Sequence, residues 1–143
     1  MERFEQFKKE LLARAKAADA CVEQYSRALH AETADALLSV VRDNFNWAVK
    51  NDVVNGEFID KWKDEFSVGR IWHNRDVENG FLLATEGRFV ARGNSSVVAC
   101  DNSYTTSFDV IECKLNGHAI HRIRKTNTIR YADKDIKFQL VEG

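Results

Sequence analysis

Apolar residues recur every three or four positions over the first part of the chain, the spacing of one face of an α-helix. This spacing predicts a helix over residues 2–29, with apolar positions Phe4, Phe7, Leu11, Ala15, Ala18, Val22, Tyr25 and Leu29. A second helix is predicted to begin after Thr33, a residue type that caps helix N-termini. A third is predicted near 57–66, with Gly69 as its left-handed C-terminal cap. Residues 1–69 are therefore predicted to form a helical subdomain.

From about residue 70 the pattern changes to the alternation of apolar and polar residues that is typical of strands. Short strands are predicted at 70–73, 81–84, 88–91 and 136–140. A tight turn at Glu86-Gly87 is predicted to join the second of these strands to the third. The pattern as a whole predicts an α+β protein, in which about three N-terminal helices pack on a β-rich repeat subdomain over 70–143.

An eight-residue frame repeats within the strand region. Phe-Val-Ala-Arg-Gly-Asn-Ser-Ser at 89–96 is followed directly by Val-Val-Ala-Cys-Asp-Asn-Ser-Tyr at 97–104, and a weaker copy begins at Thr105. Each copy predicts a short strand that points a large and then a small residue inward, namely Phe89 and Ala91, Val97 and Ala99, Thr105 and Ser107. Short strands with corners at fixed intervals indicate stacked coils, a short β-solenoid. The alternative is an antiparallel meander whose turns fall eight residues apart.

The frame Val-x-Ala-x-(Gly/Asp)-Asn-Ser, carried by residues 89–104, resembles a group of uncharacterised proteins from gut bacteria, prophages and mobile elements. In those proteins, runs of Gly-Asn-(Ala/Ser)-x-Val-x-Ala form β-helical arrays, often behind a helical N-terminal part. The resemblance implies an architecture and brings no catalytic or binding residue with it. This chain loses the frame after about residue 110, so it implies a short solenoid.

Charge is distributed unevenly along the chain. Residues 1–66 carry a net charge of −3, residues 67–113 of −2 and residues 114–143 of +4, against a total of −1. A basic segment of this kind can meet the phosphates of a nucleic acid, an acidic protein, or the acidic helices of the same chain or of a second copy. The slightly negative total is unlike the strongly basic character of nucleic-acid-binding domains, which favours a protein partner over nucleic acid.

The candidate binding residues all come from this basic segment. Arg122 and Arg124 are two residues apart in a predicted strand, so they share one face and can act together on an anion. Lys125 and Arg130 complete the predicted set.

Catalytic and cofactor motifs are not recognisable. There is no phosphate-binding glycine loop, no GxGxxG and no GxSxG elbow. His118 and His121 are three apart, which in a strand places them on opposite faces, so no shared metal ion is expected. Cys21, Cys100 and Cys113 fall in no metal-ligand spacing and are predicted to be reduced, structural thiols. We therefore expect no cofactor and no metal.

Apolar runs are all shorter than the roughly 20 residues that span a bilayer, and no secretory signal pattern is present, so a cytoplasmic protein without membrane contacts is expected. Together these observations predict a non-catalytic protein-interaction module. A concrete form is a phage or mobile-element accessory protein that binds and modulates a host factor, such as an inhibitor of a defence system. The first alternative is a nucleic-acid-binding accessory protein that uses the basic C-terminal strands, and the second is an enzyme of unfamiliar type. Assembly into a homo-oligomer fits any of these.

Overall fold

A computed structural model describes residues 3–131 and 134–137 of the chain. The chain divides into two compact units, Met1–Ile71 and Trp72–Gly143, and each is described by itself. The first unit is helical and the second is built of strands. The α+β class and the order of its two parts are therefore confirmed.

The described part of the first unit contains six helices where about three were predicted. Their bounds are α1 Arg3–Ala17, α2 Val22–Leu29, α3 Ala34–Asp43, α4 Phe45–Lys50, α5 Gly56–Lys61 and α6 Lys63–Val68. Each predicted helix is divided in two, and each division has a local cause.

The first division lies at Asp19, whose backbone is left-handed with a φ of 57°. The N–H of Ala20 donates to the carbonyl of Ala15 at 3.0 Å, the bond of a Schellman-type C-terminal cap. Aspartate is among the few residues other than glycine that adopt this conformation readily. The prediction of one continuous helix over 2–29 is wrong, because the spacing of apolar residues does not reveal a left-handed cap.

The second and third predicted helices are divided at Asn44 and Trp62. The predicted start of the second helix is confirmed, since Oγ1 of Thr33 accepts a hydrogen bond from the N–H of Ala36 at 3.1 Å. At Asn44 the backbone leaves the helical region, and Nδ2 donates to the carbonyl of Val40 at 2.8 Å. Trp62, with a ψ of 39°, separates α5 from α6. Helices α4, α5 and α6 have only six residues each, so they depend on packing rather than on helix propensity.

Four aromatic side chains form the centre of the helical unit. The ring of Phe7 is fully buried, and its centroid lies 5.9 Å from that of Phe58, 5.5 Å from that of Trp62 and 5.1 Å from that of Phe66. The indole Nε1 of Trp62 donates to a carboxylate oxygen of Glu10 at 2.6 Å, so its polar edge is satisfied. Trp62, the residue at the break between α5 and α6, is thus held in a shared aromatic core.

Gly69 follows α6 but is not the left-handed cap that was predicted. Its φ is −89°, and the left-handed residue is Arg70 with a φ of 59°. Glycine is required at position 69 because there is no space for a side chain. A Cβ there would lie 2.6 Å from Cβ of Leu38 and 2.8 Å from Nη1 of Arg42, which also donates to the Gly69 carbonyl at 2.9 Å.

We expect Gly69→Ala to lower the free energy of unfolding of the helical unit by about 1–3 kcal/mol, because the added methyl group forces Leu38 and α3 to shift. Urea unfolding followed by circular dichroism at 222 nm measures this change. The control is Val68→Ala, an exposed position on the same helix, which should change the value by less than about 0.5 kcal/mol. An unchanged stability for Gly69→Ala would contradict the close approach of α3.

The described part of the chain contains eight strands, of which the first begins at Ile71, the last residue of the first unit. Their bounds are β1 Ile71–His73, β2 Val77–Glu78, β3 Phe81–Arg92, β4 Ser96–Ser107, β5 Glu112–Leu115, β6 Ile120–Ile123, β7 Thr128–Tyr131 and β8 Lys134–Lys137. They follow the order β1-β3-β4-β6-β7-β8, with β2 paired to β3 and β5 paired to β4.

Strands β2 to β6 pair in parallel and are called the parallel stack below. Leu82 lies beside Val97, fifteen residues later, and Val97 lies beside Cys113, sixteen residues later. Phe89 lies beside Thr105, again sixteen residues later. The stacking period is therefore two of the eight-residue frames. An antiparallel meander does not describe this region.

The alternation predicted for the repeat is confirmed at its small and β-branched inward positions. These are at most 1% exposed: Ala91, Val97, Ala99, Thr105 and Ser107. Phe89 is half-buried against the same cluster. Along the ladders, apolar Leu82 and Val97 lie next to each other, whereas Thr105 and Ser107 bring hydroxyl groups into the interior.

The corners of the repeat show why the eight-residue frame recurs. Gly93 has a φ of 67°, and Asp101, eight residues later, has a φ of 55°. The hydroxyl of Ser95 donates to the backbone carbonyl three residues before it at 2.7 Å, and that of Ser103 does the same at 2.9 Å. The Gly/Asp-Asn-Ser triplet thus supplies a left-handed residue and a side-chain hydrogen bond at each corner.

The tight turn predicted at Glu86-Gly87 is wrong. Strand β3 continues through it without reversing, and the residues before and after it pair in parallel with β4. The register shifts between Ala84 and Glu86, and Gly87 has a φ of 93°. A bulge of this kind bends a strand but does not reverse it. The sequence pattern alone does not distinguish such a bulge from a hairpin turn.

The pairing becomes antiparallel after β6. Strand β7 pairs antiparallel with β6, and β8 pairs antiparallel with β7, which forms a short meander beside the parallel stack. Of the last predicted strand, Ile136 and Lys137 belong to β8, and 138–140 lie outside the described residues.

Candidate interaction surface beside strand β6

The predicted residues Arg122, Arg124 and Lys125 are all exposed. Arg122 lies on β6 between the buried residues His121 and Ile123, so the alternation of the strand turns it outward. Arg124 and Lys125 follow in the turn after β6, so the prediction that Arg122 and Arg124 share a face of one strand is wrong, because the strand ends at Ile123. The structure thus brings these three cations to one short stretch of surface.

Arg130 is separated from the other three predicted residues. It lies on β7 directly opposite His121, so it shares the face of that buried side chain rather than the face of Arg122. Its side chain is half-buried, and Nη1 donates to the backbone carbonyl of Cys113 at 3.2 Å. This placement indicates a structural contact with β5.

Two exposed apolar residues lie next to the basic turn. Phe108 is 62% exposed and Val110 is 69% exposed, both in the segment between β4 and β5. The N–H of Lys125 donates to the carbonyl of Phe108 at 2.8 Å, which fixes the basic turn beside this segment. We call Phe108, Val110, Arg122, Arg124 and Lys125 the Phe108 surface.

The Phe108 surface combines an exposed aromatic ring with arginine side chains. Phenylalanine and arginine are both more frequent in protein interfaces than on the rest of the protein surface. The single described ion pair within it, between Lys125 Nζ and Asp109 Oδ1 at 3.4 Å, is solvent-exposed and contributes little. The surface is therefore able to bury an apolar group and to meet an acidic partner at the same time.

A chain of hydrogen bonds lies in the interior behind this surface. The imidazole of His121 is fully buried, with Nδ1 2.7 Å from Oγ1 of Thr105 and Nε2 2.9 Å from Oγ of Ser107. The Ser107 hydroxyl donates to the backbone carbonyl of Asp109 at 2.7 Å. The side chains that form these hydrogen bonds all belong to residues paired between β4 and β6 in the parallel stack.

The direction of these bonds fixes the protonation of His121. Because the Ser107 proton is used on Asp109, its oxygen accepts from Nε2–H, and Nδ1 accepts the Thr105 hydroxyl proton. Burial, and to a smaller extent the charge of Arg130, lowers the pKa of His121 to about 4. The group is thus a neutral, enclosed link between β4 and β6, and Ser107 is placed to hold a loop rather than to attack a substrate.

Other groups with reactive or ligating side chains are scattered. Among the residues that the structure describes, no three His, Cys, Asp or Glu side chains lie close enough to hold a metal ion. His121 is buried on β6, whereas His118 is exposed and lies in the turn before β6, so the prediction that the two occupy opposite faces of one strand does not apply. The three cysteines are free, with Cys21 exposed, Cys100 half-buried and Cys113 buried. Burial raises the pKa of the Cys100 thiol, which makes it a weaker nucleophile.

Sequence reasoning missed Phe108, Val110 and the role of His121. The signal for His121 was present, because it follows Thr105 by sixteen residues, twice the repeat. The alternation that stops after Ser107 marked the start of a loop but gave no sign that its apolar side chains are exposed.

Comparison with models of known protein families, with curated proteins and with solved structures finds no match. Within residues 3–131 and 134–137, no helix has the length and apolar character needed to cross a membrane. The function is therefore inferred from the geometry of the chain itself.

Proposed function

We propose that this protein is a non-catalytic protein-interaction module that binds its partner through the Phe108 surface. The supporting observation is the exposure of Phe108 next to Arg124 and Lys125, fixed there by backbone hydrogen bonds from the turn after β6. Such an aromatic group with a basic rim matches a partner that presents an apolar recess surrounded by carboxylates.

The scaffold behind the surface is proposed to be a short β-solenoid. The parallel pairing at a period of 15 and 16 residues, with Ala84 beside Ala99 and Ala99 beside Leu115, supports this proposal. Stacked ladders and corners form a rigid platform, and rigidity limits the entropy that is lost when a partner binds.

The biological setting follows from the resemblance of residues 89–104 to proteins of prophages and mobile elements. We propose a cytoplasmic accessory protein that binds and modulates a host factor, such as an inhibitor of a defence system. The slight acidity of the whole chain and the basic Phe108 surface favour a partner that is acidic at its binding site.

The test is capture of partners from host lysate on the tagged chain, with and without nuclease, identified by mass spectrometry. We expect a protein that survives nuclease and that Phe108→Ala or Arg124→Glu weakens by at least about tenfold, a loss of the size found at interface centres. The matched controls are Val68→Ala and Arg92→Glu, which change exposed residues outside the surface and should leave capture intact. Equal capture of the partner by all four variants would contradict the assignment of the Phe108 surface as the binding site.

Nucleic-acid binding is the second candidate, and the exposure of Arg122, Arg124 and Lys125 is the observation in its favour. Three phosphate contacts predict a salt dependence of log K against log salt no steeper than about −3. Fluorescence anisotropy with a labelled duplex, for the wild-type chain and for Arg122→Glu, measures it. Partners that are lost on nuclease treatment, together with this salt dependence, would favour nucleic acid over protein. Size-exclusion chromatography with light scattering tests the proposed alternative of a homo-oligomer.

A further inference from the structure

The helical unit contains an apolar cavity of about 350 Å³ between α1, α2, α3 and α4, which is open to solvent on one side. Its floor is formed by buried side chains, namely Leu11, Ala28, Leu37, Val41, Ala48 and Val53. Its rim is formed by exposed residues, among them Asp19, Cys21 and Trp47. A buried floor below an exposed rim is the shape of a site that a small molecule enters.

Two hydrogen-bonding groups in the wall, on Gln24 and Asn44, are bonded to the protein itself. Oε1 of Gln24 accepts from Nδ2 of Asn44 at 3.1 Å and from Nη1 of Arg27 at 3.0 Å. The same Asn44 nitrogen donates to the carbonyl of Val40 at 2.8 Å. Most of the lining residues are apolar, so an occupant is held mainly by contact with apolar surface.

Charge further restricts the occupant. The described residues that line the cavity include no lysine, arginine or histidine, and Asp19 places a carboxylate at the rim. An anionic ligand would lose hydration without finding a cation, so an uncharged molecule fits better.

The volume sets the size of the occupant. A cavity of about 150 Å³ lined by apolar side chains is known to hold benzene. The cavity here is more than twice as large, at about 350 Å³, which is enough for two or three aromatic rings. The side chains of Tyr25 and Trp47 in the lining provide aromatic surface for such a ligand.

We propose that this cavity is a binding site for an uncharged, mainly apolar small molecule of two or three rings, distinct from the Phe108 surface. The cavity and the Phe108 surface are formed by different residues in different units. A variant that abolishes binding at one site therefore still allows binding at the other to be measured.

The first experiment titrates the full chain with the neutral fluorescent probe N-phenyl-1-naphthylamine. We expect a saturable rise in fluorescence at one equivalent. Ala15→Phe adds a ring to the half-buried lining of α1 and should weaken binding at least about tenfold by filling the space. Ala13→Phe makes the same change at an exposed position of α1 outside the lining and should leave affinity within about twofold. Equal affinity for both variants, or no saturable binding to the wild-type chain, would overturn the proposal.

The sulfonated relative of the probe, 8-anilino-1-naphthalenesulfonate, tests the charge argument with nearly the same rings. It should bind at least about tenfold more weakly than the neutral probe, because no cation lines the described cavity. Equal affinity would overturn the assignment of an uncharged ligand.

Cys21 offers an independent readout that needs no cavity-filling variant. Its exposed thiol lies at the rim, whereas Cys100 is half-buried and Cys113 is buried. Saturation with the neutral probe should slow alkylation of Cys21 by iodoacetamide at least about fivefold, because the bound molecule covers the rim. An unchanged rate at saturation would show that the probe binds elsewhere and would overturn the proposed site.

Discussion

Phe7→Ala should lower the free energy of unfolding of the helical unit by about 3–5 kcal/mol, the cost of removing a fully buried aromatic side chain. The ring of Phe7 contacts Phe58, Trp62 and Phe66, so its loss leaves a cavity lined on several sides. A loss of this size is a large part of the stability of a small domain. Urea unfolding followed by circular dichroism at 222 nm gives the value.

Phe108→Ala is the matched control, because it removes the same side chain from a position that is 62% exposed. It should change stability by less than about 0.5 kcal/mol while it weakens partner capture. Phe7→Ala should have the opposite profile wherever the chain stays folded. Equal destabilisation by the two variants would contradict the burial difference on which both assignments rest.

Stability should fall by about 3 kcal/mol as the pH is lowered from 6.5 to 4, because the pKa of His121 is 6.5 in its ordinary state and about 4 in the folded chain. Burial is the larger cause of this shift, and Arg130 on the facing strand adds to it. Between these two values the unfolded chain binds a proton that the folded chain does not. The contribution is therefore complete above pH 6.5 and is lost as the pH falls towards 4.

Replacing His121 with glutamine should remove this slope, whereas His118→Gln, an exposed position three residues away, should preserve it. Urea unfolding at several pH values between 4.5 and 7 measures the slope. Lys61 lowers the pKa of Glu10 and Arg3 lowers that of Glu65 below the ordinary 4.5, so the stability that these two carboxylates contribute is lost mainly below pH 4.5, outside the range measured. A ring titration of His121 by nuclear magnetic resonance with a midpoint near 6.5 would contradict the enclosed, neutral state.

The sequence predicted the positions of helix and strand well, because burial of one face repeats with the period of each element. The breaks at Asp19, Asn44 and Trp62 were not predictable in this way. Each depends on the backbone of one residue and on the packing around it, and an apolar stripe continues through all of them. The α+β class therefore followed from pattern, and the number of helices did not.

Strand pairing was predictable only in part. Alternation predicted that Ala91, Val97 and Thr105 point inward. The residue that each pairs with on the neighbouring strand depends on how many residues lie in the corners between the strands. Two frames separate stacked residues, so the repeat length of eight gave the correct spacing only when doubled.

The placement of the residues of the candidate surface was also predictable only in part. The exposure of Arg122 followed from its place between two apolar positions of a strand. The exposure of Phe108 depends on the path of the loop between β4 and β5, and no local pattern encodes that path. The inward placement of Arg130 depends on its antiparallel pairing with His121, a contact set by the turn after β6.

The pairing of Phe89 with Thr105 also has a consequence for how such a gene can change in length. A duplication of sixteen codons within 81–107 adds one complete layer, in which each duplicated residue lies over its own original. A duplication of eight codons instead places Thr105 over Val97 and stacks the corner at Asp101 over the corner at Gly93. Insertions that survive selection should therefore come in multiples of sixteen residues, because only these keep each corner stacked on a corner of the same kind.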